Sequence, residues 1–338
     1  MIRSMIDKIE KKRLAILRIL KEANKPLPSR TITELLNSSG NDISDRTVRF
    51  HLLALDRDGL TRYIGRHGRE ITPKGAAELA RARVYEKVGF LTAKIDQLTY
   101  QMKFDLDRRE GSVVVNVSLL RRELMEEAIP LMTRVFAKGF AMGQLVTLFG
   151  PGEMIGDIAI PDGYIGVGTV CSITLNGVLL AHGIPTKSRF GGVLEVENNR
   201  PSRFVAIINY DGTSLDPLEI FIKSRMTDYI GATATGNGLI GASFREIPAV
   251  SRDSVLEIAK KLDRIGLGAI MDVGLPGQPL LEIPVNEGLI GVIVIGGLNP
   301  VAIVEESGHS VHSKALSGIV DFKRLFNFGE LSARFAAL

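Results

Sequence analysis

Two short stretches hold the residues best able to do chemistry. The first, Thr169-Val-Cys-Ser-Ile-Thr-Leu-Asn176, carries hydroxyls at Thr169, Ser172 and Thr174, the Cys171 thiol and the Asn176 amide within an apolar run. The second, Pro185-Thr-Lys-Ser-Arg-Phe-Gly-Gly192, sets Lys187, Ser188 and Arg189 beside two glycines. Cationic side chains next to backbone N–H groups and hydroxyls can grip one or two carboxylates through charge-assisted hydrogen bonds. A solvated basic loop would have the same composition, and both readings stand. Cys171 is the one cysteine in the chain, which excludes an intrachain disulfide and a multi-cysteine zinc site. As a nucleophile it would need a base beside it, yet His182, His309 and His312 stand at no diagnostic spacing. A small buried strand residue within Val167–Leu175 is the plainer expectation. No acid–base pair or metal site assembles, so neither an enzyme nor a cofactor is expected.

Two apparent phosphate motifs fail on context. Gly236-Asn-Gly-Leu-Ile-Gly241 has dinucleotide-loop spacing, but Ala242-Ser-Phe-Arg-Glu-Ile-Pro248 follows it instead of a long helix. Lys187-Ser188 matches the end of a phosphate loop, with Thr186 where its glycine belongs.

A third chemical group is the arginines near the N-terminus. Residues 1 to 83 carry 18 Lys and Arg against 10 Asp and Glu, a net +8, while the other 255 residues carry 24 against 28, a net −4. A small domain this basic suits a polyanion; the acidic remainder does not. The elements that would position these cations are legible. Ile9, Leu14, Ile16, Leu17 and Leu20 predict an amphipathic helix over 6–20, which Pro26 and Pro28 end. A second helix is expected over 31–36, and Ser38-Ser-Gly-Asn41 makes a turn. Ser44 caps a third helix, 45–58, with Asp45 at its positive end and Gly59 as its stop.

Val48, Leu52 and Leu55 turn that third helix toward the core, which leaves Arg46, Thr47, Arg49 and Phe50 on the other face. Arginines near the start of a helix that follows a turn can reach base edges in a major groove. Strands over 60–64 and 70–72 flank Gly65-Arg-His-Gly68, a hairpin tip with Arg66 and His67, and Arg69 stands beside it. Such a wing suits phosphate or minor-groove contact. His51 reads as a partly buried helix residue. The order resembles the winged-helix domain at the front of bacterial and archaeal regulators, carried by Thr47-Val-Arg-Phe-His-Leu52, Asp56-Arg-Asp-Gly-Leu60 and Arg69-Glu-Ile-Thr-Pro-Lys-Gly75. Such domains also mediate protein contacts, but arginines on both DNA-facing elements favour DNA.

The organisation follows from these signals: a winged helix-turn-helix over 1–83, a linker helix over 84–98, and a larger domain over 99–338. In the linker Val84, Val88, Leu91, Ile95 and Leu98 form a seam for another helix, either the sensor's own or a dimer partner's. Tyr100, Met102, Phe104 and Leu106 then alternate, as do Val113, Val115 and Val117, which predicts a β-hairpin. The large domain is one unit written twice, with copies at about 100–200 and 228–325. Gly163-Tyr-Ile-Gly-Val167 returns as Gly288-Leu-Ile-Gly-Val292 at an offset of 125, and Leu175-Asn-Gly-Val178 as Leu298-Asn-Pro-Val301 at an offset of 123. Gly150-Pro-Gly152, Pro161, Gly192–Val196 and the helical stretch ending at Gly139 recur in the same order. Each copy is expected to run hairpin, helix, glycine turn and strands, an α+β pattern. Two such halves commonly pack about a pseudo-two-fold axis around a ligand cleft. The first copy keeps the polar stretches that the second has lost.

Gly163-Tyr-Ile-Gly-Val-Gly-Thr-Val-Cys-Ser-Ile-Thr-Leu-Asn-Gly-Val178 and Gly183-Ile-Pro-Thr-Lys-Ser-Arg-Phe-Gly-Gly192 resemble the NrpR family of nitrogen regulators, and the likeness runs from the winged helix to about Phe328. The resemblance implies a homodimeric repressor that binds palindromic operators of nitrogen-assimilation genes and is released by 2-oxoglutarate. Some members carry two sensor domains; this chain has one. A dicarboxylate effector agrees with the reading of Lys187 and Arg189. A regulator sensing another small carboxylate or amino acid is the alternative. No apolar run reaches the roughly 18 to 20 residues a membrane span needs, and the N-terminus lacks the pattern of a secretory signal, so a cytoplasmic location is expected.

Overall fold

The structure, a computed structural model, describes every residue except 1, 39–42, 87–89 and 269, and of 2–11, 80–86 and 90 the backbone alone. Ile9, Val84, Val88 and most of the expected turn at 38–41 therefore lie outside the described residues or side chains. The chain forms two compact units, Met1–Val88 and Gly89–Leu338.

In the first unit α1 (Ile2–Ala23), α2 (Ser29–Ser38) and α3 (Asp45–Arg57) precede a hairpin of β1 (Thr61–Tyr63) and β2 (Arg69–Ile71), and α4 (Pro73–Glu86) follows. Ile16, Leu17 and Leu20 of α1 close on Ile32 and Leu36 of α2 and on Val48, Leu52 and Leu55 of α3, all buried in one core. Burying each such side chain contributes about 1.5–3 kcal/mol. Ser44 caps α3, its Oγ accepting from the Thr47 N–H at 3.3 Å. Leu27 adds a rung to the wing by exchanging two 2.9 Å backbone bonds with Arg69. That approach demands Gly68, where φ is +98° and a Cβ would lie 2.0 Å from the Leu27 carbonyl oxygen.

The second unit opens with α5 (Phe90–Gln101). Helix α4, to Glu86, and helix α5, from Phe90, cover the described part of the linker helix expected over 84–98, and positions 87–89 of that expectation lie outside the described residues. Leu91, Ile95 and Leu98 are buried in the unit's own core, so this part of the seam serves the second unit itself. Tyr100 is still helical and 81% exposed. The expected hairpin therefore begins later, at β3 (Phe104–Asp105), which pairs with β4 (Glu110–Arg121).

From β4 the chain runs α6 (Met125–Ala137), β5 (Leu145–Phe149), the small hairpin β6 (Met154–Ile155) and β7 (Ile158–Ala159), β8 (Tyr164–Val170), α7 (Ile173–Ala181) and β9 (Lys187–Glu197). After β10 (Arg200–Asn209), α8 (Pro217–Lys223) and α9 (Tyr229–Thr235) the plan returns: β11 (Gly238–Pro248), α10 (Arg252–Arg264), β12 (Ile270–Val273), β13 (Leu289–Ile295), α11 (Asn299–Glu306) and β14 (His312–Asp321). Then β15 (Phe326–Asn327) and α12 (Leu331–Ala336) end the chain. The glycines that stop the matched helices α6 and α10, Gly139 and Gly266, share left-handed φ values of +74° and +80°.

The two halves are interlocked. One antiparallel sheet has the order β10-β9-β11-β13-β12 and the other β14-β4-β8-β5-β15. The last strand of each copy thus lies in the other copy's sheet, against its first strand. The copies near 100–200 and 228–325 are repeats in sequence but complete one another in space.

Each copy also contains a helix where strands were expected. The strand predicted over Val167–Leu175 ends at Val170, and Thr174 and Asn176 belong to α7. Its first seven residues are all buried, and a helix buried on every side shows no amphipathic stripe. The structural match of the two junctions is Thr174 with Asn299. The Thr174 N–H donates to the Cys171 carbonyl and the Asn299 N–H to the Gly296 carbonyl, while Thr174 Oγ1 and Asn299 Nδ2 bond the matched carbonyls of Val114 and Gly241. The shared Leu-Asn pair at an offset of 123 is therefore two residues out of register.

Candidate nucleic-acid interface and effector site

On the winged-helix unit, α3 turns Arg46 and Arg49 outward. Arg49 is held by Asp45 at 2.5 Å and by the Ser29 hydroxyl at 3.3 Å. Phe50 and Leu53 are 67% and 58% exposed, which leaves apolar groups among the arginines, of the kind that meet thymine methyls. The Thr47 hydroxyl is engaged with Ser44 Oγ at 2.9 Å. Arg66 and His67 are exposed on a 3-10 turn at the tip of the wing. A recess of 360 Å³ lies between helix and wing, lined by Ser29, Arg49, Leu53, Tyr63 and Arg66.

Arg69 departs from expectation. Its side chain is only 15% exposed and donates to Asp56 at 2.7 Å, and its guanidinium lies 5.0 Å from the Tyr63 ring. The Asp56 carboxylate on α3 draws it inward, so Arg69 braces the wing. His51 is buried. Burial, with Lys12 and Arg13 nearby, lowers its pKa and keeps it neutral at pH 7.

In the sensor unit the predicted site residues part into two groups. Thr169, Cys171, Ser172, Thr174 and Asn176 are all buried around the β8–α7 junction. Thr174 Oγ1 both accepts from and donates to Val114, at 3.1 and 3.0 Å, a bracing role. Burial pushes the Cys171 thiol up to about 11, so it stays protonated and is no nucleophile. Asn176 Nδ2 donates to Ser188 Oγ at 3.1 Å, which brings Ser188 to the same interior. Lys187 and Arg189 do not join them. Arg189 donates to Glu246 at 3.0 Å and to the Pro284 carbonyl at 2.7 Å, and Lys187 pairs across the strands with Glu246. Together these three line a polar recess of 240 Å³ with Asn209, Asp211 and Asn286. Strand alternation is the reason: neighbours on β9 point to opposite faces.

The cation that does reach the interior is Arg245 of β11, cross-strand partner of Ser188 and 1% exposed. Its Nη1 donates to the Ser172 carbonyl at 2.9 Å. Among the described residues its Nε and Nη2 have no partner, nor do the buried Thr169 Oγ1 and Asn176 Oδ1. Burial lowers the Arg245 pKa to about 10, so it remains charged at pH 7. Nearby Tyr210 is pushed up by burial, and Asp216, pushed by burial and then by Glu219, titrates at about 7. Gly236 ends α9 and leads into β11, so no helix follows the 236–241 glycines and their spacing has no phosphate to hold.

Residues 88–327 match the family described as NrpR regulatory domains NRD1 and 2. The chain belongs to the NrpR family. Residues 14–79 match the ribonuclease R winged-helix domain, so the NrpR regulatory domains follow a winged helix here. The chain is 34% identical over 321 residues to the global nitrogen regulator NrpRI of Methanosarcina mazei, covering 95% of this chain and 99% of that relative. The global nitrogen regulators NrpR of Methanococcus maripaludis and Methanocaldococcus jannaschii are 31% and 30% identical, and the chain spans 54% and 55% of their length. The crystal structure of a nitrogen repressor-like protein from Methanococcus jannaschii superposes with a TM-score of 0.60 at 28% identity, covering 70% of this chain and 97% of its own. This member of the family is accordingly a transcription regulator and not an enzyme. No helix among the described residues is long and apolar enough to cross a membrane.

Sequence reasoning passed over Arg245. The available signal was the adjacent pair Arg245-Glu246 inside the apolar strand Gly238–Pro248, since charges in a buried strand need a reason.

Proposed function

We propose that this chain represses nitrogen-assimilation genes in the cytoplasm by binding palindromic operators as a homodimer, and that 2-oxoglutarate releases it. Membership of the NrpR family supports the regulatory class. The observation that carries DNA binding is the outward face of α3, where Arg46, Arg49 and Phe50 are exposed, together with an exposed Arg66 and His67 at the wing tip. In this reading α3 enters the major groove and the wing tip follows the phosphates. The effector is a small carboxylate held by the interior polar residues of the sensor unit.

Fluorescence anisotropy on promoter fragments of nitrogen-assimilation genes tests this. The account expects two chains per palindrome and affinity that falls steeply with salt. Arg46→Ala with Arg49→Ala should lose about 1–3 kcal/mol per base contact and relax base preference, whereas Arg66→Ala should mainly flatten the salt slope. Affinity and slope unchanged in all three substitutions would remove the winged helix as the DNA reader.

A further inference from the structure

We infer that the Nε/Nη2 edge of Arg245 is the anchor for a carboxylate of the sensor's small organic-acid effector. This rests on the reading of the sensor unit as an effector-binding domain and names its site. The edge is fully enclosed, yet among the described residues no group bonds either nitrogen. Among the described residues no carboxylate forms an ion pair with Arg245, while its neighbour Glu246 is already engaged by Arg189. A buried guanidinium left with two free donors is costly, and two parallel N–H groups on one edge match the two oxygens of a carboxylate.

The surroundings fit an organic acid. Nη1 is already bound to the Ser172 carbonyl, which fixes the plane of the guanidinium and aims the free edge. Ser188, opposite Arg245 across the strands, accepts from Asn176 and so keeps its own O–H to donate. The matched position in the other sheet, by the shared register of β4 with β8 and β11 with β13, is Ser118. Its hydroxyl is satisfied by Ser313 at 2.8 Å, so only one of the two junctions has an anion anchor. Because the edge is enclosed, a ligand reaches it only when the packing around Arg245, which includes its Nη1 bond to Ser172 at the start of α7, rearranges. Neutralising the guanidinium then favours that rearranged state, which couples occupancy to the packing of the two halves.

Isothermal titration of the full chain with 2-oxoglutarate and, separately, L-glutamate tests the site, using wild type and Arg245→Lys, which keeps the charge and loses the paired donors. The expected result is binding of at least one acid by wild type, weakened about 10- to 150-fold in Arg245→Lys. Hydrogen exchange on the wild type, independent of whether the variant folds, should show residues 171–175 and 243–247 changing protection when that acid is added. Equal binding by the variant, or no exchange response there, makes Arg245 a structural residue only and leaves the effector reading intact. No binding of either acid by folded wild type overturns both.

Discussion

The two strand-to-helix junctions of the sensor unit have the same geometry and opposite chemistry. At the start of α11, Asn299 accepts from the Tyr229 hydroxyl at 2.6 Å and donates to the carbonyls of Phe140 and Gly241, each at 2.9 Å. Its amide is fully used. At the start of α7, Thr174 makes the equivalent local bond, but the facing strand supplies Arg245, whose free donors nothing among the described residues satisfies. A duplicated fold thus separates two tasks: one junction holds the halves together, and the other keeps unsatisfied polar groups that a ligand can use. Unpaired buried groups in a native interior call for an explanation of this kind.

The sharpest way to break this contrast is to remove each centre. Asn299→Ala would take the acceptor from the Tyr229 O–H and the side-chain donor from the Phe140 carbonyl, at about 1–3 kcal/mol for each. The Tyr229 oxygen would still accept from the Gly241 N–H, and the Gly241 carbonyl from the Gly296 N–H. Urea unfolding should show a larger loss of stability for Asn299→Ala than for any substitution at the other junction. Arg245→Met should do the reverse, from neutral to about 3 kcal/mol more stable, because it removes a buried charge that lacks a counterion. A strong loss of stability in Arg245→Met would mean that both junctions are structural and would erase the distinction.

A smaller effect is expected from pH. Asp216 has a folded pKa of about 7, raised by burial, and Glu219 is raised in the same direction. The folded unit therefore binds protons more tightly than the unfolded chain. The contribution is fully present below the ordinary carboxylate range and is lost as pH rises through about 7. Melting temperature should fall from about pH 5 to about pH 7 and level off above that, and Asp216→Asn, which can still cap α8, should flatten that slope. A flat profile in the wild type would contradict the enclosed setting of the carboxyl. Least of all is expected from Lys187→Ala. Lys187 is exposed and on the outer face, so effector affinity should stay within about 0.5 kcal/mol of wild type, as for most surface substitutions. A tenfold loss in the same titration would return the effector to the 187–192 loop.

Much of the winged helix was legible because its signals are local. Ser44, the spacing of Val48, Leu52 and Leu55, and Gly59 bound α3 without any tertiary knowledge. The inward turn of Arg69 was not legible, since it depends on Asp56 one element away. The duplication was plain from repeated glycines and Leu-Asn pairs, but a repeat does not say which sheet its last strand enters, so the exchange of β9 and β14 needed the structure. The helices α7 and α11 were hidden by their own burial, and with them the true partner of Thr174. Cys171, Ser172, Asn176 and Ser188 were singled out by type and do meet around Arg245. Lys187 and Arg189 were singled out by charge and fall on the opposite face, because one residue along a strand reverses direction.

The central claim is that the sensor unit governs the DNA-binding unit through a small acid. The most direct test follows the wild-type chain bound to an operator of a nitrogen-assimilation gene while 2-oxoglutarate is added at constant ionic strength, with sodium chloride as the control. The account predicts saturable release of the DNA at concentrations matching those that bind the sensor in calorimetry. Operator occupancy that stays constant across that range, with the acid bound, would contradict it.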